Sequence, residues 1–116
     1  MKVKVLSQAS VSFNPVHMEG VESVHIKRLI TKSDGAPRMA MRLFEILPGG
    51  HTPFHSHEWE QMNYILEGEG VLRTAEGDIV VKPGDACFIP GTAMHQYRND
   101  GDALFRFLCM VPVERD

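Results

Sequence analysis

His55-Ser56-His57 is the segment of this sequence best equipped for chemistry. Two histidines at i and i+2 on an extended segment point the same way, about 7 Å apart by strand rise. That spacing lets two imidazoles converge on one metal ion, whereas a helix would need i and i+4. Glu58, Glu60 and Gln61 follow closely and add oxygen donors. His95 lies far along the chain and completes such a site only if the fold brings its strand across. An isolated HxH pair is more often two solvated surface histidines, so the surrounding elements must decide.

Those elements read as strands. Short alternating segments are cut by Gly, Pro, Asp and Asn clusters, and helical periodicity is hard to find. Strands are predicted at residues 23–31, 38–47, 61–67, 71–74, 78–82, 86–89, 94–98 and 103–111. Residues 11–21 read as a loop with one short strand or turn, and the polar tail 112–116 as frayed. Turn chemistry recurring at this spacing indicates an all-β sandwich or barrel. The last strand has a usable register, with Phe105, Phe107, Cys109 and Val111 on one face and Leu104, Arg106, Leu108 and Met110 on the other. Arg106 marks its face as the outer one, and the apolar surplus there suggests a subunit interface.

Composition bounds the class. The 116 residues make one domain, 43% hydrophobic and 23% charged, as expected of a globular fold. Twelve Lys and Arg against fifteen Asp and Glu give a net charge of −3, without the basic excess of a nucleic-acid binder. No apolar run approaches the roughly 20 residues of a membrane helix, and the first ten residues lack the apolar core of a secretory signal. Cys87 and Cys109 show no CxxC spacing, which points to a reduced, cytoplasmic setting without a disulfide. Six histidines is a high count for this length. His17 and His25 read as surface or half-buried residues, His51 as a residue near a pocket mouth.

The surroundings of the histidine pair match a family. The segment from Gly49 through His55, His57 and Gln61 to Gly68 resembles the first cupin motif, G-x5-H-x-H-x3-E-x6-G. The segment from Gly84 through Pro90 and His95 to Asn99 resembles the second, G-x5-P-x-G-x2-H-x3-N. With their short spacer the two cover nearly half the chain. The resemblance implies a single jelly-roll antiparallel β-barrel, here an arm at 1–22, the barrel at 23–111 and a tail at 112–116. It also implies a metal held by His55, His57, His95 and one more residue of the first motif. Two departures stand out. Thr92 fills a glycine position, read as a tolerated turn variant, and Gln61 replaces the glutamate ligand. Strand alternation turns Gln61 toward the metal as a neutral oxygen donor and Glu60 away from it. The stretch is also similar to small manganese cupins with a four-nitrogen ligand set and a like H-S-H-x-W-E core.

Replacing the usual glutamate leaves the bound divalent ion with its full charge, a stronger Lewis acid and a better host for an anionic oxygen ligand. The family likeness favours Mn²⁺ first and Fe²⁺ second, while the donor set also admits Zn²⁺, Ni²⁺ or Cu²⁺. Register carries Asn63 and Ile65 inward with Gln61, and Tyr97 with His95; Phe107 and Cys109 face in from the last strand. In the strand at 38–47 each face carries one charge, so periodicity leaves open whether Arg42 and Phe44 or Met41 and Leu43 point inside. The resembling manganese cupins favour Arg42 and Phe44, with Arg42 pairing a substrate anion and Tyr97 and Cys109 as further catalytic candidates. Trp59 and the methionines read as packing residues. The expected function is a dioxygenase-type oxidoreductase acting on a small, oxygen-rich, chelating substrate. A metal-dependent isomerase or decarboxylase, or a ligand-binding module without catalysis, are the alternatives. A homodimer is expected, with neither nucleic acid nor membrane as partner.

Overall fold

The structure, a computed structural model, describes residues 2–116. Nine strands form where β-branched and aromatic residues alternate with polar ones. They are β1 (Asn14–Pro15), β2 (Glu22–Ile30), β3 (Met39–His51), β4 (Gln61–Glu67), β5 (Gly70–Thr74), β6 (Gly77–Val81), β7 (Ala86–Ile89), β8 (His95–Arg98) and β9 (Phe105–Pro112). Among the described residues there are short 3-10 turns but no α-helix, and no helix is long and apolar enough to cross a membrane. Every pairing is antiparallel. The hydrogen-bonded path runs β6-β5-β8-β3-β9-β4-β7, with β2 on β3 and β1 on β2. The curled sheet closes around one core, which makes the expected all-β antiparallel barrel.

β3 runs further than the sequence suggests. Pro48-Gly49-Gly50 reads as a turn, yet the strand continues to His51. Its first part, from Met39 to Ile46, pairs with β9, while His51 pairs with Arg98 of β8. The Pro-Gly-Gly run is therefore the corner where the strand crosses to the other side of the barrel. Gly49 takes a φ of +83° there, and its N–H donates to the Asn99 carbonyl at 2.9 Å. This corner delivers the following loop to the mouth of the barrel.

Alternation sets what faces inward. In β9, Phe105, Phe107, Cys109 and Val111 are buried, while Arg106, Leu108 and Met110 are half-buried. In β4, Gln61, Asn63 and Ile65 are buried and Met62, Tyr64 and Leu66 exposed. Tyr97 and Phe105 flank Phe107 with ring centroids 4.5 and 5.3 Å away, so aromatic packing fills the interior. The tail differs from expectation. Val113 continues the inward alternation of β9, is 6% exposed, and its N–H donates to the Arg38 carbonyl at 2.8 Å. Residues Val113–Arg115 therefore form a packed 3-10 turn rather than a frayed end. Both cysteines are free thiols. Each is the cross-strand partner of Asn63, from opposite sides, so two strand spacings of about 4.8 Å separate them, beyond disulfide reach.

The turn before β8 locks the two halves of the site together. A Cβ on Gly91 would lie 2.3 Å from the Glu58 carbonyl oxygen. The Thr92 N–H donates to the His57 carbonyl at 2.7 Å, and Thr92 holds a φ of +70°. That left-handed value is what a glycine at this place would adopt without strain. Adjacent substitutions should therefore act in opposite directions. Gly91→Ala should cost about 2 kcal/mol and lower Tm by roughly 10 °C. Thr92→Gly should raise stability by up to about 1 kcal/mol. Thermal unfolding followed by circular dichroism reads both.

Candidate metal centre

The loop after β3 is pinned to β8 through His55 and His95, whose backbones exchange hydrogen bonds of 3.1 and 2.9 Å. His57 lies two residues on. The three imidazoles come together, with one ring nitrogen from each lying within 4.8 Å of the others. Their Nδ1 atoms are partly accounted for. His57 Nδ1 lies 2.7 Å from the Trp59 carbonyl oxygen, and His95 Nδ1 2.8 Å from that of Ala93. A carbonyl oxygen only accepts, so both Nδ1 atoms carry the hydrogen, and in the neutral ring both Nε2 atoms are left as lone pairs. Burial, above all, and the neighbouring histidines hold His55 below the ordinary histidine pKa. Burial likewise lowers His95, against the raising effect of the Ala93 hydrogen bond. Neutral imidazole is the form that ligates metal.

Gln61 is oriented by a chain of amide hydrogen bonds that starts at a backbone carbonyl. Asn63 Nδ2 donates to the Leu108 carbonyl at 3.2 Å. That fixes the Asn63 amide, so its Oδ1 accepts from Gln61 Nε2 at 3.1 Å and from the Tyr97 hydroxyl at 2.9 Å. With its nitrogen committed, Gln61 turns Oε1 to the histidines, 3.1 Å from His57 Nε2. With His57 neutral, two lone pairs face each other, an arrangement that a cation bound between them satisfies. The donor set thus fits a divalent metal ion held by His55, His57, His95 and the Gln61 oxygen. Glu60 is exposed on the other face of the chain, and among the described residues no carboxylate joins the histidine cluster.

The cluster sits in a cavity of about 330 Å³. Phe44 and Phe107 stack along its wall, with centroids 5.5 Å apart and planes at 20°. Val24 and Ile26 of β2 and Val16 and Val21 of the N-terminal arm add apolar surface. Of the residues expected from sequence, Arg42, Phe44, Gln61, Tyr97, Phe107 and Cys109 line this cavity with the three histidines. Asn63 lies behind Gln61, and Ile65 is fully buried in the core. His51 does not border the cavity; its Nδ1 lies 3.2 Å from the Thr52 carbonyl oxygen. Burial, chiefly, pushes the Tyr97 phenol pKa far up, and its hydroxyl is committed to Asn63.

Several cavity-lining residues escape the sequence reading, Arg28 and Asp116 among them, as does the partner of Trp59. Trp59, expected to be a packing residue, stacks flat on His57 with centroids 4.3 Å apart and planes at 7°. Arg28 borders the cavity mouth. Its signal was present: it shares the inward register of β2 with Val24 and Ile26, where an arginine is out of place.

Comparison with known proteins agrees with this geometry. A family model described as a cupin domain matches residues 42–111. The methylsulfurylase of Rhodospirillum rubrum that acts on 1-methylthio-D-xylulose 5-phosphate is 40% identical over 76 residues, 66% of this chain and 49% of that protein. The chain thus spans about half the length of that relative. An oxalate-binding protein of Thermotoga maritima is 33% identical over 96 residues, 79% of this chain and 78% of that one. A polyketide cyclase structure from Streptomyces resistomycificus superposes with a TM-score of 0.92 at 33% identity, covering 97% of this chain and 80% of that one.

Proposed function

Because the chain belongs to the cupin family, we propose that it is a mononuclear metal enzyme acting on a small, oxygen-rich, chelating anion, with dioxygenase-type oxidation as the reaction. The observation that carries this reading is the convergence of three imidazoles and one amide oxygen in a largely apolar cavity. A divalent ion held there supplies Lewis acidity to adjacent substrate oxygens and, as manganese first or iron second, a reaction partner for O₂.

The chain's own residues bind and orient. Phe44 and Phe107 take a flat substrate body and keep water from it, and Arg42 faces its negative charge. Tyr97 keeps its proton and acts through Asn63 on Gln61. Cys109, whose Sγ accepts from Arg42 Nη2 at 3.2 Å, steadies that guanidinium. None of these groups is free to shuttle a proton, which favours chemistry that asks none of the chain. A second reading is non-oxidative isomerisation, decarboxylation or ring closure, favoured by the likeness to the polyketide cyclase over 97% of the chain. Oxygen uptake by Mn²⁺- and Fe²⁺-loaded protein with enediols, catechols and flavonols should exceed that of His55→Ala protein. Product formed equally without air would transfer the assignment to the second reading. Failure of every metal form to turn over any of these substrates would contradict the enzyme assignment.

We also propose a homodimer. Met41, Met110, Met62 and Phe88 are successive cross-strand partners on β3, β9, β4 and β7. They form an apolar row on the outer face, with Met62 47% and Phe88 58% exposed. Light scattering at micromolar concentration should give twice the chain mass, and Phe88→Asp should halve it. A monomeric wild type would refute the dimer.

A further inference from the structure

The cavity mouth carries more positive charge than the chain itself answers. Arg28 of β2 and Arg42 of β3 are direct cross-strand partners. Like charges placed opposite one another disfavour a sheet, and both side chains border the same cavity. One carboxylate stands between them. Asp116 Oδ1 lies 3.4 Å from Arg28 Nε and 3.7 Å from Arg42 Nε. The second contact is an ion pair without a hydrogen bond, and Arg42 Nε is buried with no hydrogen-bond partner at all. The rest of the Arg42 guanidinium is held by soft contacts, Cys109 Sγ and the Phe44 ring 5.0 Å from Cζ. A positioned guanidinium fork with an uncommitted buried donor suits an oxyanion, which it can grip through two parallel hydrogen bonds.

The distance to the histidines also carries information. Asn63, Cys109, Arg42 and Arg28 follow one another as cross-strand partners on β4, β9, β3 and β2. Two strand spacings place Arg42 about 10 Å from Asn63, and Asn63 adjoins Gln61. Cys109 lies between the two ends, and the stacked Phe44 and Phe107 rings flank that row two residues along β3 and β9. One aromatic ring with a short acidic arm spans that length.

We propose that Arg28 and Arg42 form an oxyanion subsite, and that the ligand is an acid with chelating oxygens at the histidines, a flat apolar body along Phe44 and Phe107, and a carboxylate or phosphate on the two guanidiniums. That oxyanion takes the place held by the Asp116 carboxylate. Only the chelating end of this ligand rests on the metal reading above.

Matched probes test it by calorimetry. Dihydrocaffeate and propylcatechol share a catechol and a body of similar length, and only the first is an acid. Manganese-loaded wild type should bind dihydrocaffeate about tenfold or more tighter. Arg28→Gln and Arg42→Gln should each cut that preference, and retained propylcatechol binding shows the variants folded. Metal-free protein should still bind phenylpropanoate or phenylpropyl phosphate, with Arg28→Gln weakening whichever binds. The tighter of the two names the oxyanion. Equal affinity for both catechols, or a preference that survives both substitutions, overturns the subsite. Catechol binding indifferent to metal, with phenylpropanoate binding still dependent on Arg28, would sink the metal reading and leave the subsite standing.

Discussion

Asn63→Leu is expected to weaken Mn²⁺ binding by about 10–100-fold, the usual consequence of removing the partner that orients a metal ligand. Asn63 touches no ligating atom of the histidines. It acts through its Oδ1, which holds the Gln61 nitrogen and so leaves the Gln61 oxygen for the metal. Leucine has similar bulk but cannot enforce that choice, and the Gln61 amide becomes free to present its donor instead. Leucine would also strand the buried Tyr97 hydroxyl, so Tyr97→Phe belongs in the same protein. The Gln61→Glu background separates orientation from general damage. A carboxylate presents oxygen in either orientation, so Asn63→Leu should cost only a few-fold there. Gln61→Glu alone should raise Mn²⁺ affinity by about tenfold, because it adds an anionic oxygen ligand. Glu60→Gln should change nothing, since Glu60 is exposed on the opposite face. Loss of binding in Glu60→Gln would mean the register of the strand is off by one.

His95→Ala is expected to have the larger effect, more than the roughly 100-fold upper range for an orienting partner. His95 is 3% exposed and supplies the donor from β8, whose backbone is hydrogen-bonded to that of His55. Without it, His55 and His57 become an ordinary HxH pair on a loop. Trp59 provides the readout. It is the single tryptophan of the chain and stacks on His57 at 4.3 Å, so a quenching ion such as Cu²⁺ bound at the site should dim its fluorescence. In His95→Ala the quenching should require over a hundredfold more metal, again taking roughly 100-fold as the lower bound. An unchanged titration would remove His95 from the site.

The fold was legible where a charge or an aromatic marked one face of a strand, and the site where two spaced motifs could be matched. β9 sets Phe105, Phe107, Cys109 and Val111 on one face and Arg106 on the other, so its register can be read directly. β4 carries the inverse pattern, with Gln61 and Asn63 inside and Met62, Tyr64 and Leu66 outside, so Gln61 was placed by its position in the motif and alternation only turned Glu60 away. β3 could not be read so, since Arg42 on one face and Glu45 on the other cancel the signal. Its length was hidden too, because Pro48-Gly49-Gly50 resembles a turn until pairing on two sides of the barrel makes it a corner. The role of Asn63 was out of reach for a different reason. Its amide is set by the Leu108 carbonyl, forty-five positions away in sequence, and local pattern holds no record of that contact. Trp59 is the packing residue it was read as, but its partner His57 was hidden because stacking depends on the turn that brings the two rings together.

The central claim is that His55, His57 and His95, with the Gln61 oxygen, hold one divalent metal ion. Elemental analysis tests it most directly, on protein incubated with Mn²⁺, Fe²⁺ or Zn²⁺ and then desalted. The account predicts about one ion per chain in the wild type, as for a single mononuclear site, and none in a folded His55→Ala/His57→Ala/His95→Ala variant. A wild type that keeps no ion after desalting, or a triple variant that keeps as much as the wild type, would contradict it.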